Sequence, residues 1–189
     1  MRRYFIILFL SNIFMGVYSQ EIVFDKVDGN NERRVETSMK SFTHWTNDEE
    51  IMYGMEAKEK FGKIAYRLAM QFKSKKKIRL DTYMRLLLKT KAGTIIELKC
   101  SQGGRDDTGE LYDPVSMIYE YKVKGYYDIT DEQIIKITSE GLEKIRMELY
   151  DRDINEKYSA SRNAGAYIAY SYNALNRRIE ERRSFPDDF

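Results

Sequence analysis

Apolar and polar residues alternate along the middle of the chain. Apolar residues occupy every second position from Lys63 to Lys73, and the same period of two recurs in Ile78–Thr90 and Val115–Val123. Such strict alternation is typical of antiparallel strands with one buried face, whereas in a helix these residues would spread around the axis. The residues expected to face the core are Ile64, Tyr66, Leu68, Met70, Phe72, Ile78, Leu80, Thr82, Met84, Leu86, Leu88, Val115, Met117, Tyr119, Tyr121 and Val123.

Turn signals separate these predicted strands. Gly93 predicts a hairpin within TKAGTIIELKC, because glycine adopts the left-handed conformation that short turns require. The charged segment FKSKKKIR predicts a second reversal. Two weaker strand candidates, Arg33–Trp45 and Ile51–Ala57, flank the turn-like segment TNDEE. After the hairpin, the inward face continues with Ile96, Leu98 and Cys100.

A capped helix is predicted after Ile129. Thr130 is a favourable N-cap, and Gln133 three residues later completes a capping box. Ile129 and Ile134 have the spacing of a hydrophobic staple, and Gly141 ends the helix. The period of two then resumes and predicts a further strand, with the inward positions Ile145, Met147 and Leu149.

A second helix is predicted from about Ser159 to Arg182, because apolar residues recur there every three or four positions. These elements predict an α+β fold with a mainly antiparallel, twisted sheet of about six to eight strands, which could curl toward a sandwich or half-barrel. A short helix would cross between the last two strands, and the C-terminal helix would pack on an apolar face of the sheet. Its apolar stripe comprises Ala164, Ile168, Tyr172, Leu175 and Ile179.

Residues 1–19 predict a signal peptide. Arg2 and Arg3 precede an apolar run, and Val17 and Ser19 supply the small residues before a cleavage site. The run is shorter than the roughly 20 apolar residues that a membrane-spanning helix needs. We therefore expect an exported protein, periplasmic or at the cell surface or secreted, with a single domain over residues 20–189 and no membrane span after signal cleavage.

Charge and cysteine content narrow the choice of partners. The chain has 32 basic and 30 acidic residues, and the predicted leader contains Arg2 and Arg3, which leaves 30 of each sign in the mature domain. A neutral domain gives no reason to expect a nucleic-acid partner. Cys100 is the single cysteine, so an intrachain disulfide is excluded and the thiol is expected in the core.

Familiar catalytic arrangements are not found in the sequence. His44 is the single histidine and lies in a weakly predicted strand, so a thiol–imidazole pair with the inward-facing Cys100 is not favoured. No G-x-S-x-G motif occurs. No feature predicts a cofactor, and the residues favour a non-catalytic role.

Acidic residues concentrate in the segment RDDTGELYD. Carboxylate oxygens are the ligands that calcium prefers, which makes this segment the candidate metal site. The spacing differs from that of an EF-hand, and a solvated hairpin loop has a similar composition. The candidate metal ligands are Asp106, Asp107, Glu110 and Asp113.

The one dense basic cluster lies between two predicted strands and comprises Lys73, Lys75, Lys76, Lys77 and Arg79. It could meet anionic lipid, polysaccharide or a nucleic-acid backbone. A hairpin tip kept soluble by like charges is the alternative, and it is favoured because no aromatic residue lies within the cluster.

Tyrosine is abundant in the C-terminal half of the chain. It suits binding surfaces, and it equally suits strands and the seam between a helix and a sheet. The candidate ligand contacts are Tyr126, Tyr127, Tyr167 and Tyr170.

The succession LLLKTKAGTIIELKC, YEYKVKGYYDITDEQIIKI and GLEKIRMEL, followed by the terminal helix, resembles a group of small exported hypothetical proteins of Gram-negative bacteria. The resemblance covers roughly Gly62 to Ile179. It implies a secreted or periplasmic location and an α+β fold, and it transfers no catalytic residue.

These observations predict a non-catalytic binding or interaction module of the bacterial envelope, whose partner is an envelope protein or a glycan. Such a module should show an exposed aromatic patch. One alternative is a carboxylate-based hydrolase, which should show a concave pocket with two convergent carboxylates. The other is a structural subunit of an envelope assembly, which should show a bare, uncharged edge strand.

Overall fold

Thirteen strands and two helices are seen in the part of the chain that the computed structural model describes, residues 21–42, 49–106, 108–150, 153–157 and 164–183. The side chains of residues 49, 113, 155–157, 182 and 183 are not described. The predicted signal peptide, His44, Trp45 and the first residues of the predicted C-terminal helix lie outside these ranges. The strands are β1 (Ile22–Val27), β2 (Arg33–Thr37), β3 (Lys40–Ser41), β4 (Glu49–Lys60), β5 (Lys63–Ser74), β6 (Ile78–Leu80), β7 (Arg85–Thr90), β8 (Ile95–Gln102), β9 (Gly104–Asp106), β10 (Glu110–Asp113), β11 (Ile118–Ile129), β12 (Leu142–Glu148) and β13 (Asp153–Lys157), and the helices are α1 (Asp131–Glu140) and α2 (Ala164–Arg183).

Eleven of these strands form one open sheet with antiparallel pairing throughout. Its order is β1-β2-β4-β5-β11-β8-β7-β12-β13, with β3 added to β4 and β10 added to β11, while β6 and β9 pair in a separate two-stranded sheet. The structure confirms the predicted α+β class and the mainly antiparallel sheet, and the sheet is not a closed barrel. The strands outnumber the expected six to eight because the runs Arg33–Trp45 and Ile78–Thr90 each contain two strands, and because the sequence patterns do not predict β1, β9, β10 and β13.

The run Ile78–Thr90 is two strands rather than the single strand that was predicted. β6 ends at Leu80, and the chain then turns, with the amide of Met84 donating to the carbonyl of Asp81 at 3.0 Å. β7 begins at Arg85 and belongs to the large sheet, whereas β6 pairs with β9. The predicted reversal at FKSKKKIR therefore connects two different sheets and does not form a hairpin.

The run Val115–Val123 was also assigned wrongly. Val115 and Met117 lie in the turn before β11, where their side chains are 91% and 62% exposed. β11 begins at Ile118 and continues to Ile129, beyond the predicted end. The alternation had merged a solvent-exposed turn with a true strand, because periodicity does not distinguish an inward face from an exposed one.

The helical predictions are confirmed where they can be compared. The hydroxyl of Thr130 accepts from the amide of Gln133, whose own side chain accepts from the amide of Thr130, and the helix ends at Gly141. In α2 the stripe residues pack on β2, β4 and α1, which covers one face of the sheet. The ring of Tyr53 in β4 lies between Phe42 and Tyr167, at centroid distances of 3.9 and 4.8 Å.

Candidate functional site

The two-stranded sheet places two arginines directly opposite each other. Arg79 of β6 and Arg105 of β9 are register partners, and directly opposed residues of an antiparallel pair point to the same face. Like charges in this position repel each other and destabilise the pair. The carboxylate of Asp81 offsets part of this cost at Arg79, and two guanidinium groups on one face favour a further anion beside them.

Both arginines line a cleft of about 360 Å³ at the end of this strand pair, where β6 ends and β9 begins. Its lining residues are Arg79, Leu80, Asp81, Thr82, Gly103, Gly104 and Arg105. A cleft of this size, bordered by two guanidinium groups and floored partly by glycine backbone, suits an anionic group such as a phosphate, a sulfate or a carboxylate.

Arg79 is held in position before any ligand arrives. Its Nε lies 3.0 Å from a carboxylate oxygen of Asp81, and its guanidinium carbon lies 4.6 Å from the ring centroid of Tyr150. The amide of Tyr150 also donates to the carbonyl of Arg79 at 3.2 Å. The planar guanidinium therefore has a fixed orientation, which lowers the entropy lost when it binds a planar anion.

Two exposed tyrosines, Tyr83 and Tyr150, flank this arginine. Tyr83 lies in the turn before β7, and Tyr150 lies two residues after the end of β12. Partial loss of hydration and a hydrogen bond with the carboxylate of Asp81 raise the pKa of Tyr83, so its hydroxyl stays protonated. Together the two rings supply apolar and hydrogen-bonding area beside the cationic cleft.

Glycines allow the close approach that forms the cleft. A Cβ at Gly103 would lie 2.0 Å from the carbonyl oxygen of Leu80, which is backbone and has no room to move away. A Cβ at Gly125 in β11 would lie 2.1 Å from the side chain of Leu80. β6 therefore needs glycine at position 103 to lie against the β8–β9 junction, whereas a Cβ at position 125 would require the end of the Leu80 side chain to shift.

The basic cluster lies next to aromatic residues that the sequence did not reveal. The Lys75 ammonium lies 5.9 Å from the ring centroid of Tyr112, and Arg79 stacks on Tyr150. No aromatic residue lies within the cluster along the sequence, because these rings come from residues 35 or more positions away in the chain. Lys73 has a structural role, because its ammonium lies 2.9 Å from Glu50.

The acidic segment is built around Asp106. One carboxylate oxygen of Asp106 accepts from the amide of Gly109 at 3.0 Å and from the amide and hydroxyl of Thr108 at 3.2 and 3.3 Å, while the other accepts from the amide of Lys122 at 2.8 Å. The amide of Lys122, followed by those of Gly109 and Thr108, holds the pKa of this carboxyl below its ordinary range. Glu110 is paired with the ammonium of Lys122 at 2.5 Å.

These contacts give Asp106 the role of holding the connection between β9 and β10 against β11. The described residues contain no group of three or more His, Cys, Asp or Glu side chains that could hold a metal ion. Asp107 and the side chain of Asp113 lie outside the described residues, so the metal site that the sequence predicts at this segment stays a prediction.

The four candidate tyrosines do not share one surface. Tyr126 and Tyr127 are neighbours in β11, are both buried, and point to opposite faces of the sheet. The hydroxyl of Tyr167 donates to the carbonyl of Ser38 at 2.7 Å and its ring packs on Tyr53, whereas Tyr170 is partly exposed on α2. Their role as ligand contacts stays a prediction, and the candidate site consists of other residues.

Tyr127 is the most enclosed of the four. It lies opposite Cys100 of β8, and burial raises the pKa values of both the phenol and the thiol. Its hydroxyl has no hydrogen-bond partner among the described residues. The expectation that Cys100 lies in the core is confirmed, because this thiol is 3% exposed.

Two carboxylates do converge, on the face of the sheet opposite the helices. Glu36 of β2 and Glu56 of β4 are register partners, and the guanidinium of Arg34 binds both. Burial by itself would raise the pKa of Glu36, but the hydrogen bond from Lys124 and the charges of Lys124 and Arg34 outweigh it and lower this pKa. Glu36, whose pKa is lowered, is not suited to be the general acid of a hydrolase.

A second cleft, of about 480 Å³, lies between β1 and the end of α2. The carboxylate of Asp25 in β1 is bound there by Arg33 at 2.9 Å and by Arg178 of α2 at 2.8 Å. The hydrogen bond from Arg33 is the main cause that lowers the pKa of Asp25. We interpret these contacts as the link that fastens the edge strand to the helix.

The two strands at the ends of the main sheet order carry charged residues. β1 contains Asp25 and Lys26, and β13 contains Asp153. Charged edges deter strand addition, which does not favour assembly by edge pairing.

Among the described residues, neither α1 nor α2 has the length and apolar character to cross a membrane. Comparison with protein-family models, with curated proteins and with solved structures found no match for this chain.

Proposed function

We propose that this protein is a non-catalytic, exported binding module whose cleft beside the β6–β9 pair recognises an anionic group carried by an envelope glycan or protein. The single observation that carries this proposal is the register pairing of Arg79 with Arg105, both of which line a cleft of about 360 Å³. An anion between the two guanidinium groups removes their mutual repulsion and accepts charge-assisted hydrogen bonds from both.

The surroundings of the cleft support binding rather than catalysis. Segments 75–82 and 103–107 carry five basic and three acidic residues, so the region is electropositive although the mature domain is neutral. Of the acidic residues, Asp81 orients Arg79, and the carboxylate of Asp106 accepts backbone hydrogen bonds. The lining of the cleft contains no cysteine, histidine or lysine that could act as a nucleophile.

The test is a titration of the purified protein with inorganic phosphate and with sulfate, followed by NMR shifts of the backbone amides. We expect saturable shifts at Gly103 and Gly104, and at least ten-fold weaker binding after Arg79→Gln combined with Arg105→Gln. Arg85→Gln is the matched control, because Arg85 is an exposed strand arginine paired with Glu148 at 2.6 Å and lies outside the lining of the cleft.

Two outcomes would contradict the proposal. One is the absence of saturable shifts at Gly103 and Gly104 with either anion. The other is equal affinity in the double variant and in Arg85→Gln, which would assign the binding to general surface charge. A glycan array probed with the wild-type protein, the double variant and Arg85→Gln identifies the class of anion that the cleft prefers.

A further inference from the structure

Exposed apolar side chains concentrate on one hairpin. We call residues 110–120, which comprise β10, the turn after it and the first residues of β11, the β10–β11 arm. The tip of the arm holds Val115 and Met117, the most exposed apolar residues of the hairpin. The exposed apolar residues of the arm are Leu111, Tyr112, Val115, Met117 and Tyr119.

The arm has one apolar face and one charged face. Leu111 and Tyr119 are register partners and share a face. Glu110 and Glu120 are also partners, and the ammonium of Lys122 binds them at 2.5 and 3.3 Å. Lys122 therefore partly neutralises the two acidic residues of the arm whose side chains are described.

Basic residues flank the arm at its base. Lys75 follows the end of β5, and its ammonium lies 5.9 Å from the ring centroid of Tyr112 in β10. Lys76 and Lys77 continue from it as exposed residues. The arm therefore has aliphatic side chains at its tip, tyrosines along its sides and lysines at its base.

We propose that the β10–β11 arm docks this protein on an anionic lipid surface. The order of side chains along the arm matches the polarity profile of a bilayer interface, where acyl chains lie deepest, aromatic rings favour the headgroup level and lysines meet the lipid phosphates. The two most exposed apolar residues lie together at the turn and exposed lysines lie at the base, an arrangement that suits a planar anionic surface.

This docking surface is distinct from the cleft in the residues it uses. The arm acts through Val115, Met117 and the lysines 75–77, whereas the cleft acts through Arg79 and Arg105. The inference therefore goes beyond the proposed anion recognition and does not depend on it. If both proposals hold, docking of the arm on the lipid surface places the cleft close to the headgroup region.

Vesicle co-sedimentation tests the proposal, with phosphatidylcholine–phosphatidylglycerol vesicles compared with pure phosphatidylcholine vesicles. We expect binding that requires phosphatidylglycerol. Val115→Asp should weaken it about ten-fold, since burial of one aliphatic side chain is lost. Replacing Lys75, Lys76 and Lys77 together with glutamine should weaken it about a hundred-fold, since each lysine adds attraction to the anionic surface.

Phe61→Asp is the matched control for the tip. Phe61 is an 84% exposed apolar residue at the turn between β4 and β5, flanked by lysines as the arm is, and it lies at the opposite end of β5 from Lys75. This variant should bind vesicles as the wild-type protein does. In a protein that carries Arg79→Gln and Arg105→Gln, adding Val115→Asp should still weaken vesicle binding. This result separates the docking surface from the cleft.

Depth of insertion gives a second measurement. A nitrobenzoxadiazole label on Val115→Cys should shift to the blue when anionic vesicles are added, while the same label on Phe61→Cys should not. Cys100 is buried and stays unlabelled in the folded protein. The proposal is overturned if the wild-type protein ignores phosphatidylglycerol vesicles, if Val115→Asp binds them as well as wild type, or if the label at residue 61 is the one that shifts.

Discussion

Glu56 and Arg67 face each other across β4 and β5 and form an ion pair whose carboxylate is completely enclosed. A second guanidinium, that of Arg34, binds the other oxygen of Glu56. The ring of Tyr126 lies 4.2 Å from the guanidinium carbon of Arg67 and covers the pair. The sheet face opposite the helices is therefore sealed by long charged and aromatic side chains.

We predict that Glu56→Gln destabilises the protein by roughly 3 kcal/mol, because it leaves two guanidinium groups without their buried carboxylate. Urea denaturation followed by circular dichroism measures this change. Glu97→Gln is the matched control, since Glu97 forms an exposed pair with Arg85 at 3.3 Å and should contribute less than about 1 kcal/mol. Equal effects of the two substitutions would contradict this account.

Stability should decrease in acid. The pKa of Glu36 in the folded protein lies below its ordinary value of 4.5, so the unfolded chain takes up the proton first as the pH falls. The contribution of Glu36 is therefore complete above the unfolded pKa and is lost as the pH falls through the folded pKa. The same sign holds for Asp25, whose ordinary value is 3.8.

The measurement is the free energy of unfolding between about pH 6 and pH 3. Glu36→Gln should flatten the decrease, because it removes one of the groups that titrate. A steeper acid dependence in Glu36→Gln than in wild type would reverse the sign that we assign.

Thr130→Ala should cost about 1 kcal/mol, since it removes the hydroxyl that accepts from the amide of Gln133 at the start of α1. Thermal or urea unfolding measures the loss. Thr138 lies away from the ends of the same helix, so Thr138→Ala should leave the stability unchanged or raise it slightly. A loss of similar size in both variants would mean that the cap does not carry the effect.

Gly103→Ala should destabilise by about 2 kcal/mol and loosen β6 from β9, because the added Cβ would meet the Leu80 carbonyl oxygen at 2.0 Å. Hydrogen exchange of the β6 and β9 amides, together with urea unfolding, reports both effects. Gly29→Ala is the control, since a Cβ there meets nothing within 4 Å. If the β6 and β9 amides of Gly103→Ala exchange as slowly as those of the wild-type protein, the close approach is not needed.

The candidate site was only partly predictable. The sequence identified the basic cluster that contains Arg79 and Lys75, because five positive charges stand within seven residues. It did not identify Arg105, Tyr112 or Tyr150 as neighbours of that cluster, since each comes from a distant segment. The acidic segment was recognisable from its composition, but the role of Asp106 as an acceptor for backbone amides depends on where β11 runs beside it.

Local signals in the sequence determined the elements whose causes are themselves local. The capping box at Thr130 and Gln133, the turn at Gly93 and the alternation of Leu142–Glu148 act over a few residues, and the structure has each of them. Strand pairing is decided by contacts between residues far apart in the chain, and a period of two describes a face without naming its partner. Only the tertiary structure could therefore divide the run Ile78–Thr90, bury both faces of β11 and bring Arg79 opposite Arg105.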